Sequence, residues 1–207
     1  MSRELFRPFE PLPGTEPPLR GLFVDRWGTL LELPGGRANP RFADARFTPG
    51  ALDALFRAQQ AGWSVYLIGN EDAVARGRWA QAAWEEFESA LLAHLSSRGI
   101  DVVRNYACLD HPEGKGTHRR NSVFLLPDTG LYFHAAQVDG VVLSESWTVG
   151  DSTLELVAGG RAGCKVASVA TGLALSDRTL DVEPDVGCCD LAEAVRVLLA
   201  LKVYARR

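Results

Sequence analysis

From residue 21 onward, short runs rich in β-branched and aromatic residues alternate with longer segments of helical periodicity. This alternation is typical of an α/β domain, because each helical segment returns the chain to the start of a neighbouring parallel strand. We therefore predict an α/β fold with a mainly parallel sheet and helices on both faces. The predicted strands are 21–25, 63–68, 101–107, 147–150 and 165–169, and the predicted helices are 48–61, 76–97, 129–138, 153–162 and 191–204.

The first and last predicted helices carry the clearest boundary signals. Thr48 is a favourable N-cap, Pro49 fits the first helical position and Gly62 is a typical stop. Asp190 should cap the closing helix. We expect the core-facing side chains of the first helix to be Leu52, Leu55 and Phe56.

Composition indicates one folded domain preceded by an arm. The chain has 207 residues, of which 46% are hydrophobic and 23% charged, enough to bury a substantial core. Residues 1–19 contain five of the eleven prolines and no periodic apolar pattern. We predict an extended proline-rich arm over 1–19 and a single domain over 20–207.

The charge balance is mildly acidic, with 22 Lys and Arg against 26 Asp and Glu. Without a basic field, binding to nucleic acid or to an anionic membrane is not expected. The sequence shows no secretory signal or membrane-length apolar run, and its four cysteines are scattered, which predicts a cytoplasmic protein. The five tryptophans and the arm leave room for a protein partner.

Polar residues follow several predicted strands where each strand ends. In a parallel sheet the ligand site lies at the carboxyl ends of the strands. The residues to consider there are Asp25, 69–72, 108–120 and 150–151.

Four segments resemble motifs of the haloacid dehalogenase-like (HAD) superfamily. Segment 22–30, LFVDRWGTL, resembles its nucleophile loop, which usually reads D-x-D-G-T. Segments 70–77 (NEDAVARG), 111–114 (HPEG) and 146–164 resemble the branch that contains heptose bisphosphate and histidinol phosphate phosphatases. The resemblance implies a Rossmann-like fold with a minimal or absent cap domain, and a small phosphorylated metabolite as ligand.

The resemblance also implies a magnesium site. Asp25 would be the nucleophile, and it would hold the metal together with Asp151 and the backbone carbonyl of Trp27. Oxygen ligands of this kind suit Mg²⁺. Glu155 could be a further ligand, or it could close a capping box with Ser152.

Three positions depart from the family pattern. Trp27 replaces the Asp that exchanges a proton, a contribution of about 10²–10⁴-fold in such sites. Gly69 replaces a hydroxyl residue that donates to the phosphoryl group, a loss on the order of 10²-fold. Leu126 stands where the family has its phosphate-neutralising Lys.

The remaining candidates for phosphate contact are polar or basic residues near the strand ends. A solvated basic turn is the alternative reading of 115–120, and Glu71 and Asp72 would oppose phosphate binding if they faced inward. The candidates are Arg26, Gly69, Asn70, Lys115, Arg119 and Arg120.

Zinc is not expected. In the zinc-containing members, a Cys-x-His pair and a Cys-x-Cys pair close a tetrahedral site. The corresponding residues here are Cys108, Asp110, Ser122 and Phe124. Four N or S ligands are needed for such a site.

Three functions remain open from the sequence. The first is Mg²⁺-dependent phosphomonoester hydrolysis through an aspartyl-phosphate on Asp25, with impaired turnover. The second is a catalytically inactive binding or assembly module. The third is a metal-independent dehalogenase-like hydrolase, in which an aromatic residue also stands two places after the nucleophile.

Overall fold

A computed structural model of the protein describes residues 19–35 and 40–204, with side chains as far as residue 201. Its centre is a six-stranded parallel sheet with strand order β3-β2-β1-β4-β5-β6. This confirms the predicted Rossmann-like α/β fold. The strands are β1 (Arg20–Asp25), β2 (Trp63–Asn70), β3 (Val102–Cys108), β4 (Trp147–Gly150), β5 (Lys165–Val169) and β6 (Val186–Cys188).

Helices cover both faces of the sheet, and each face has its own apolar cluster. Leu22 and Val24 of β1 pack on the face covered by α1, α3 and α6, whereas Phe23 packs on the face covered by α4 and α5. Alternate residues of β1 are therefore buried on opposite sides. The helices are α1 (Ala51–Gln60), α2 (Asp72–Ala75), α3 (Gln81–Ser97), α4 (Gly130–Asp139), α5 (Thr153–Ala162) and α6 (Leu191–Tyr204).

Helix α1 begins later than predicted. Gly50, at φ 70°, precedes its first residue, and the Thr48 hydroxyl does not cap it. Thr48 instead donates to the Thr29 carbonyl oxygen at 2.6 Å, which ties the helix entry to the loop after β1. Phe56 was predicted to face the core but is 41% exposed, because the small side chains of Ala51, Ala54 and Ala58 allow the helix to pack closely beside Leu55.

The predicted helix 76–97 begins later than expected, as α3 at Gln81, and the short helix α2, which was not predicted, ends at Ala75 just before it. The chain turns at Gly77, whose φ of 68° is in the left-handed region where α2 ends. Strand β6 was not predicted, since its three residues carry too short a pattern. Asp190 does cap α6, where it accepts a 2.8 Å hydrogen bond from the Glu193 N–H.

Two long connections, 26–50 and 109–129, flank the carboxyl edge of the sheet. In their described parts each contains one 3-10 turn, Phe42–Asp44 and Gly116–His118 respectively, and isolated β-bridges but no longer helix or strand, so the cap is minimal. The predicted arm lies outside the described residues except for Leu19, which pairs with Val141. Within 19–35 and 40–204, no helix is both long and apolar enough to cross a bilayer.

Candidate active site

Three carboxylates meet at the carboxyl edge of the sheet. Asp25 ends β1, Asp151 directly follows the adjacent strand β4, and Glu155 lies in the first turn of α5. One oxygen from each lies within 4.8 Å of the others, and all three side chains are buried. The structure therefore brings together the three side chains predicted to hold the metal.

Two glycines allow the backbone to approach Asp151 closely. A Cβ at Gly28 or at Gly172 would lie 2.1 Å from Asp151 Oδ2, so neither position has room for a side chain. Both residues also have positive φ, at 91° and 62°. Next to Gly172, the Leu173 N–H donates to the same carboxylate oxygen at 2.6 Å, and this fixes its orientation.

Crowding in a buried place makes these carboxylates hard to ionise together. Burial raises the pKa of Asp25 well above its usual value, and the charges of Glu155 and Asp151 raise it further. Burial also raises the pKa of Asp151, and it raises the pKa of Glu155 to about 7. A divalent cation would relieve this repulsion, and a set of oxygen donors suits Mg²⁺.

Glu155 closes the capping box and also lies in the acidic cluster, while its role as a metal ligand stays a prediction. Its two carboxylate oxygens accept from the backbone N–H and the hydroxyl of Ser152, which closes the capping box of α5. The same carboxylate belongs to the acidic cluster. The cap thus fixes its orientation beside Asp25 and Asp151. The role predicted for the Trp27 carbonyl stays a prediction.

Trp27 lines the cavity above this cluster. Its Nε1–H donates to Glu71 Oε2 at 3.4 Å, and its ring lies 5.3 Å from the Phe87 ring of α3, centroid to centroid. The hydrogen bond to Glu71 and the contact with the Phe87 ring therefore fix the orientation of the Trp27 side chain. It forms part of the wall where the family pattern has a carboxylate.

Arg26 does not reach the cavity, contrary to its predicted contact with phosphate. It is completely buried, and its guanidinium pairs with Glu71, donates to Asn105 and lies 5.0 Å from the Trp84 ring centroid. These partners hold the positive charge beneath the site. Burial raises the pKa of Glu71 to about 7, and the charge of Arg26 opposes that rise.

Gly69 and Asn70 end β2 beside Asp25, and both line the cavity. A Cβ at Gly69 would lie 3.0 Å from Arg26 Nη1 and 3.4 Å from Asp25 Oδ1, so the buried guanidinium occupies the space that a larger residue would need. The Asn70 side chain accepts from the Leu126 N–H at 2.9 Å and donates to the Leu126 carbonyl at 3.0 Å. Its amide is thus engaged with a loop, which differs from the predicted phosphate contact.

The basic loop also lies outside the cavity. Lys115, Arg119 and Arg120 are exposed, and Arg120 pairs with Asp110 at 2.8 Å. From this segment only His111 and Pro112 line the cavity. This arrangement agrees with the alternative reading of the segment as a solvated basic turn.

The cavity has a volume of about 490 Å³, an acidic floor and largely apolar walls. Leu33 and Leu173 were not singled out from the sequence. Leu173 comes from the loop after β5, and extending the strand-end rule to that strand would have included it. The lining residues are Asp25, Trp27, Leu33, Gly69, Asn70, Asp72, His111, Pro112, Leu125, Leu126, Pro127, Asp151, Ser152, Leu154, Glu155 and Leu173.

Comparison with known proteins identifies the family, although no family model matches the chain. A D-glycero-D-manno-heptose-1,7-bisphosphate 7-phosphatase from Thermosynechococcus vestitus is 30% identical over 189 residues, which cover 86% of this chain and 94% of the relative. The chain belongs to the heptose bisphosphate phosphatase branch of the HAD superfamily.

Other members of the branch agree with this assignment. A D-glycero-beta-D-manno-heptose-1,7-bisphosphate 7-phosphatase from Pasteurella multocida is 26% identical over 159 residues, covering 76% of this chain and 85% of that relative. The crystal structure of D,D-heptose bisphosphate phosphatase from B. bronchiseptica, in complex with magnesium and phosphate, is 27% identical with a TM-score of 0.76. The match covers 88% of this chain and 99% of that structure.

The residues that the sequence places at the zinc positions have other partners in the structure. Cys108 is a buried thiol directed at the Asp110 carbonyl oxygen, and the Asp110 carboxylate pairs with Arg120 and with His118. Phe124 packs its ring against Tyr106 and His134. One thiol and one engaged carboxylate do not supply the four ligands of a closed tetrahedral site.

Proposed function

We propose that the protein is a Mg²⁺-dependent phosphomonoester hydrolase in which Asp25 is the nucleophile and turnover is slow. The observation that carries this proposal is the convergence of Asp25, Asp151 and Glu155 at the floor of the cavity. A relative of the same branch has been crystallised with magnesium and phosphate, which supports the choice of metal and ligand.

Asp25 has the position that a nucleophile needs. It ends a buried strand, lines the cavity, and lies beside Asp151 and Glu155, which with the Trp27 carbonyl would hold the metal. Bound there, Mg²⁺ would neutralise charge on the carboxylates and on the phosphoryl group. Attack by an Asp25 carboxylate oxygen on phosphorus then forms an aspartyl-phosphate, which water hydrolyses.

Slow turnover follows from the chain's own substitutions. The Trp27 indole cannot protonate a leaving group or deprotonate water near neutral pH, which removes about 10²–10⁴-fold. Gly69 offers a phosphoryl oxygen only a backbone N–H, and Leu126 offers no charge. Together these changes predict rates well below those of an intact site.

A binding module without turnover is the second candidate. Trp27 is fixed by Glu71 and Phe87, so the indole is a built part of the wall. Such a wall suits ligand binding whether or not chemistry follows.

Hydrolysis of a chromogenic aryl phosphate, with Mg²⁺ and with a chelator, separates the two candidates. We expect slow, Mg²⁺-dependent release of phosphate that is lost in Asp25→Asn. Asp53→Asn is the matched control, because Asp53 is an exposed carboxylate on α1 that pairs with Arg57, far from the chemistry. A rate at background in the parent protein would contradict the hydrolase and favour the binding module.

A further inference from the structure

We propose that the cavity accepts monophosphate esters of aromatic hydroxyl compounds, and that it disfavours sugar bisphosphates. The inference rests on the proposed function and specifies its substrate class. Three independent features of the cavity lead to it: the signs of its charges, the nature of its walls and the absence of an acid at position 27.

Among the described residues that line the cavity, the charged side chains are all carboxylates. Asp25, Asp72, Asp151 and Glu155 line it, and among the described lining residues there is no Lys or Arg. Arg76 pairs with Asp72 at 3.6 Å without lining the cavity. One bound Mg²⁺ could offset a single phosphoryl group, but a second phosphate would meet carboxylates without a counter-charge.

The walls favour an apolar leaving group. Apolar residues line the cavity around the carboxylates, namely Trp27, Leu33, Leu125, Leu126, Leu154 and Leu173. An aromatic ring gains by leaving water for such walls and for the face of an indole. The hydroxyls of a sugar would lose hydrogen bonds to water and find few partners there, since the Asn70 amide is already bonded to Leu126.

The chemistry of the leaving group points to the same class. A sugar alkoxide is a poor leaving group unless an acid protonates it, whereas a phenol has a pKa of about 10 and can depart as its anion. His111 also lines the cavity; its Nδ1 accepts a hydrogen bond from the Glu113 N–H and its Nε2 lies 3.4 Å from Arg76 Nη2, so both ring nitrogens lie against neighbouring protein groups.

The two steps can be written with every bond accounted for. A carboxylate oxygen of Asp25 bonds to phosphorus while the bond from phosphorus to the aryl oxygen breaks, and the phenolate leaves with that electron pair. A water oxygen then bonds to phosphorus, the Asp25 carboxylate recovers its electron pair, and dihydrogen phosphate is released. A proton from this phosphate reaches the phenolate through solvent.

The second step is the slower one. Phenolate departs without an acid, but attack by water benefits from a base, and Trp27 cannot act as one. The aspartyl-phosphate should therefore accumulate. Phenolate release should show a burst of about one equivalent per protein, the kinetic sign of a covalent intermediate.

The test compares naphthyl phosphate, glycerol phosphate and hexose bisphosphate as substrates with Mg²⁺. We expect kcat/KM for the aryl ester to exceed both others by roughly 100-fold, within the range that positioned proton transfer supplies to poor leaving groups. Intact-mass measurement should detect a phosphoryl adduct after mixing with the aryl ester, and Asp25→Asn should abolish it. Trp27→Asp should raise hydrolysis of glycerol phosphate by a larger factor than that of naphthyl phosphate.

Placing a positive charge in the cavity wall tests whether the lack of basic residues is what disfavours a second phosphate. Leu126→Lys should raise kcat/KM for the bisphosphate, whereas Val123→Lys should not, because Val123 belongs to the same loop but is 64% exposed and does not line the cavity. Calorimetry with naphthyl phosphonate and with inorganic phosphate gives a readout that needs no turnover and no variant. The phosphonate should bind at least tenfold more tightly.

The outcomes separate this inference from the proposed function. A parent protein that hydrolyses the bisphosphate as fast as the aryl ester would overturn the substrate class and leave the hydrolase intact. Absence of both turnover and adduct with every substrate would overturn the hydrolase, and tighter phosphonate binding would then still support the aromatic class. Equal binding of phosphonate and phosphate would count against it.

Discussion

At the scale of single residues, one buried ion pair links the substituted positions of the site. Glu71 pairs with Arg26 and also accepts from the Trp27 indole, while the Arg26 guanidinium occupies the space next to Gly69. The placement of the Trp27 indole and the lack of a side chain at Gly69 therefore both depend on how this ion pair packs. The positions that depart from the family pattern are therefore structurally connected.

Removing the charge of Glu71 should destabilise the fold strongly. Glu71→Gln leaves Arg26 buried without a counter-ion, a change that costs about 3–5 kcal/mol in comparable pairs. Urea denaturation measures the loss. Glu113→Gln is the control, since Glu113 pairs with Arg76 at an exposed site and should change stability by less than about 1 kcal/mol. Equal effects of the two variants would show that burial of the Arg26 pair does not matter.

Adding a side chain at Gly69 should also destabilise the protein. In Gly69→Ser the new Cβ would lie 3.0 Å from Arg26 Nη1, and overpacking of this kind costs about 1–3 kcal/mol. The hydroxyl should therefore not restore activity despite its likeness to the family residue. A melting temperature equal to that of the parent, with faster hydrolysis, would refute this account.

At the scale of elements, the end of β2 positions a loop on the other side of the cavity. Asn70 forms both hydrogen bonds with the Leu126 backbone, and Leu126 lines the cavity. The sequence marked Asn70 as polar and near the site. It could not show that the amide binds a backbone segment more than fifty residues away, because that depends on how the loop folds.

Loss of this contact should loosen the loop. Asn70→Ala removes two hydrogen bonds, and we expect faster amide hydrogen exchange at Leu126 and weaker binding of naphthyl phosphonate. Asn70→Asp keeps an acceptor for the Leu126 N–H and should give an intermediate exchange rate. Unchanged protection at Leu126 in Asn70→Ala would mean that the loop is held by its other contacts.

The difference between local sequence signals and tertiary contacts also explains which helix and strand boundaries could be predicted. β4, β5, α5 and α6 have the predicted bounds, because their local patterns and caps agree with their tertiary packing. Thr48 and Phe56 were misassigned because the loop after β1 competes for the hydroxyl and the alanines of α1 set its packing face. Local sequence carries no signal for such competition.

At the scale of the whole molecule, parallel topology made the acidic floor predictable and left the basic residues uncertain. Asp25 and Asp151 end adjacent strands, so any sheet of this kind brings them together. The basic residues can instead pair with several different partners across the fold, and the sequence does not show with which. These residues are Arg26, Lys115, Arg119 and Arg120. Only the structure shows Arg26 buried against Glu71 and the other three outside the cavity.

As pH rises, the contribution of Glu155 to the stability of the metal-free protein should fall, whereas the stabilisation by Mg²⁺ should grow. The folded-state pKa of Glu155, about 7, is raised above the ordinary value of 4.5, so its contribution is full below about pH 4.5 and is lost as pH rises through about 7. Magnesium needs the ionised carboxylates, and its stabilisation should grow over the same interval.

Thermal denaturation at pH 5.5 and pH 8, with Mg²⁺ and with a chelator, measures this dependence. We expect a larger rise in melting temperature from Mg²⁺ at pH 8. Asp151→Asn should abolish the rise, and Asp53→Asn, on the exposed face of α1, should retain it. An equal effect of Mg²⁺ at both pH values would argue against a metal bound by these three acids.

The buried Arg26 has a consequence for the history of this site. A side chain added at position 69 alone meets the guanidinium, and neutralising Glu71 alone leaves it without a counter-ion. The residues of the family pattern could therefore be introduced here only if several of these neighbours changed together. The buried ion pair therefore makes substitutions toward the family residues costly when they are introduced one at a time.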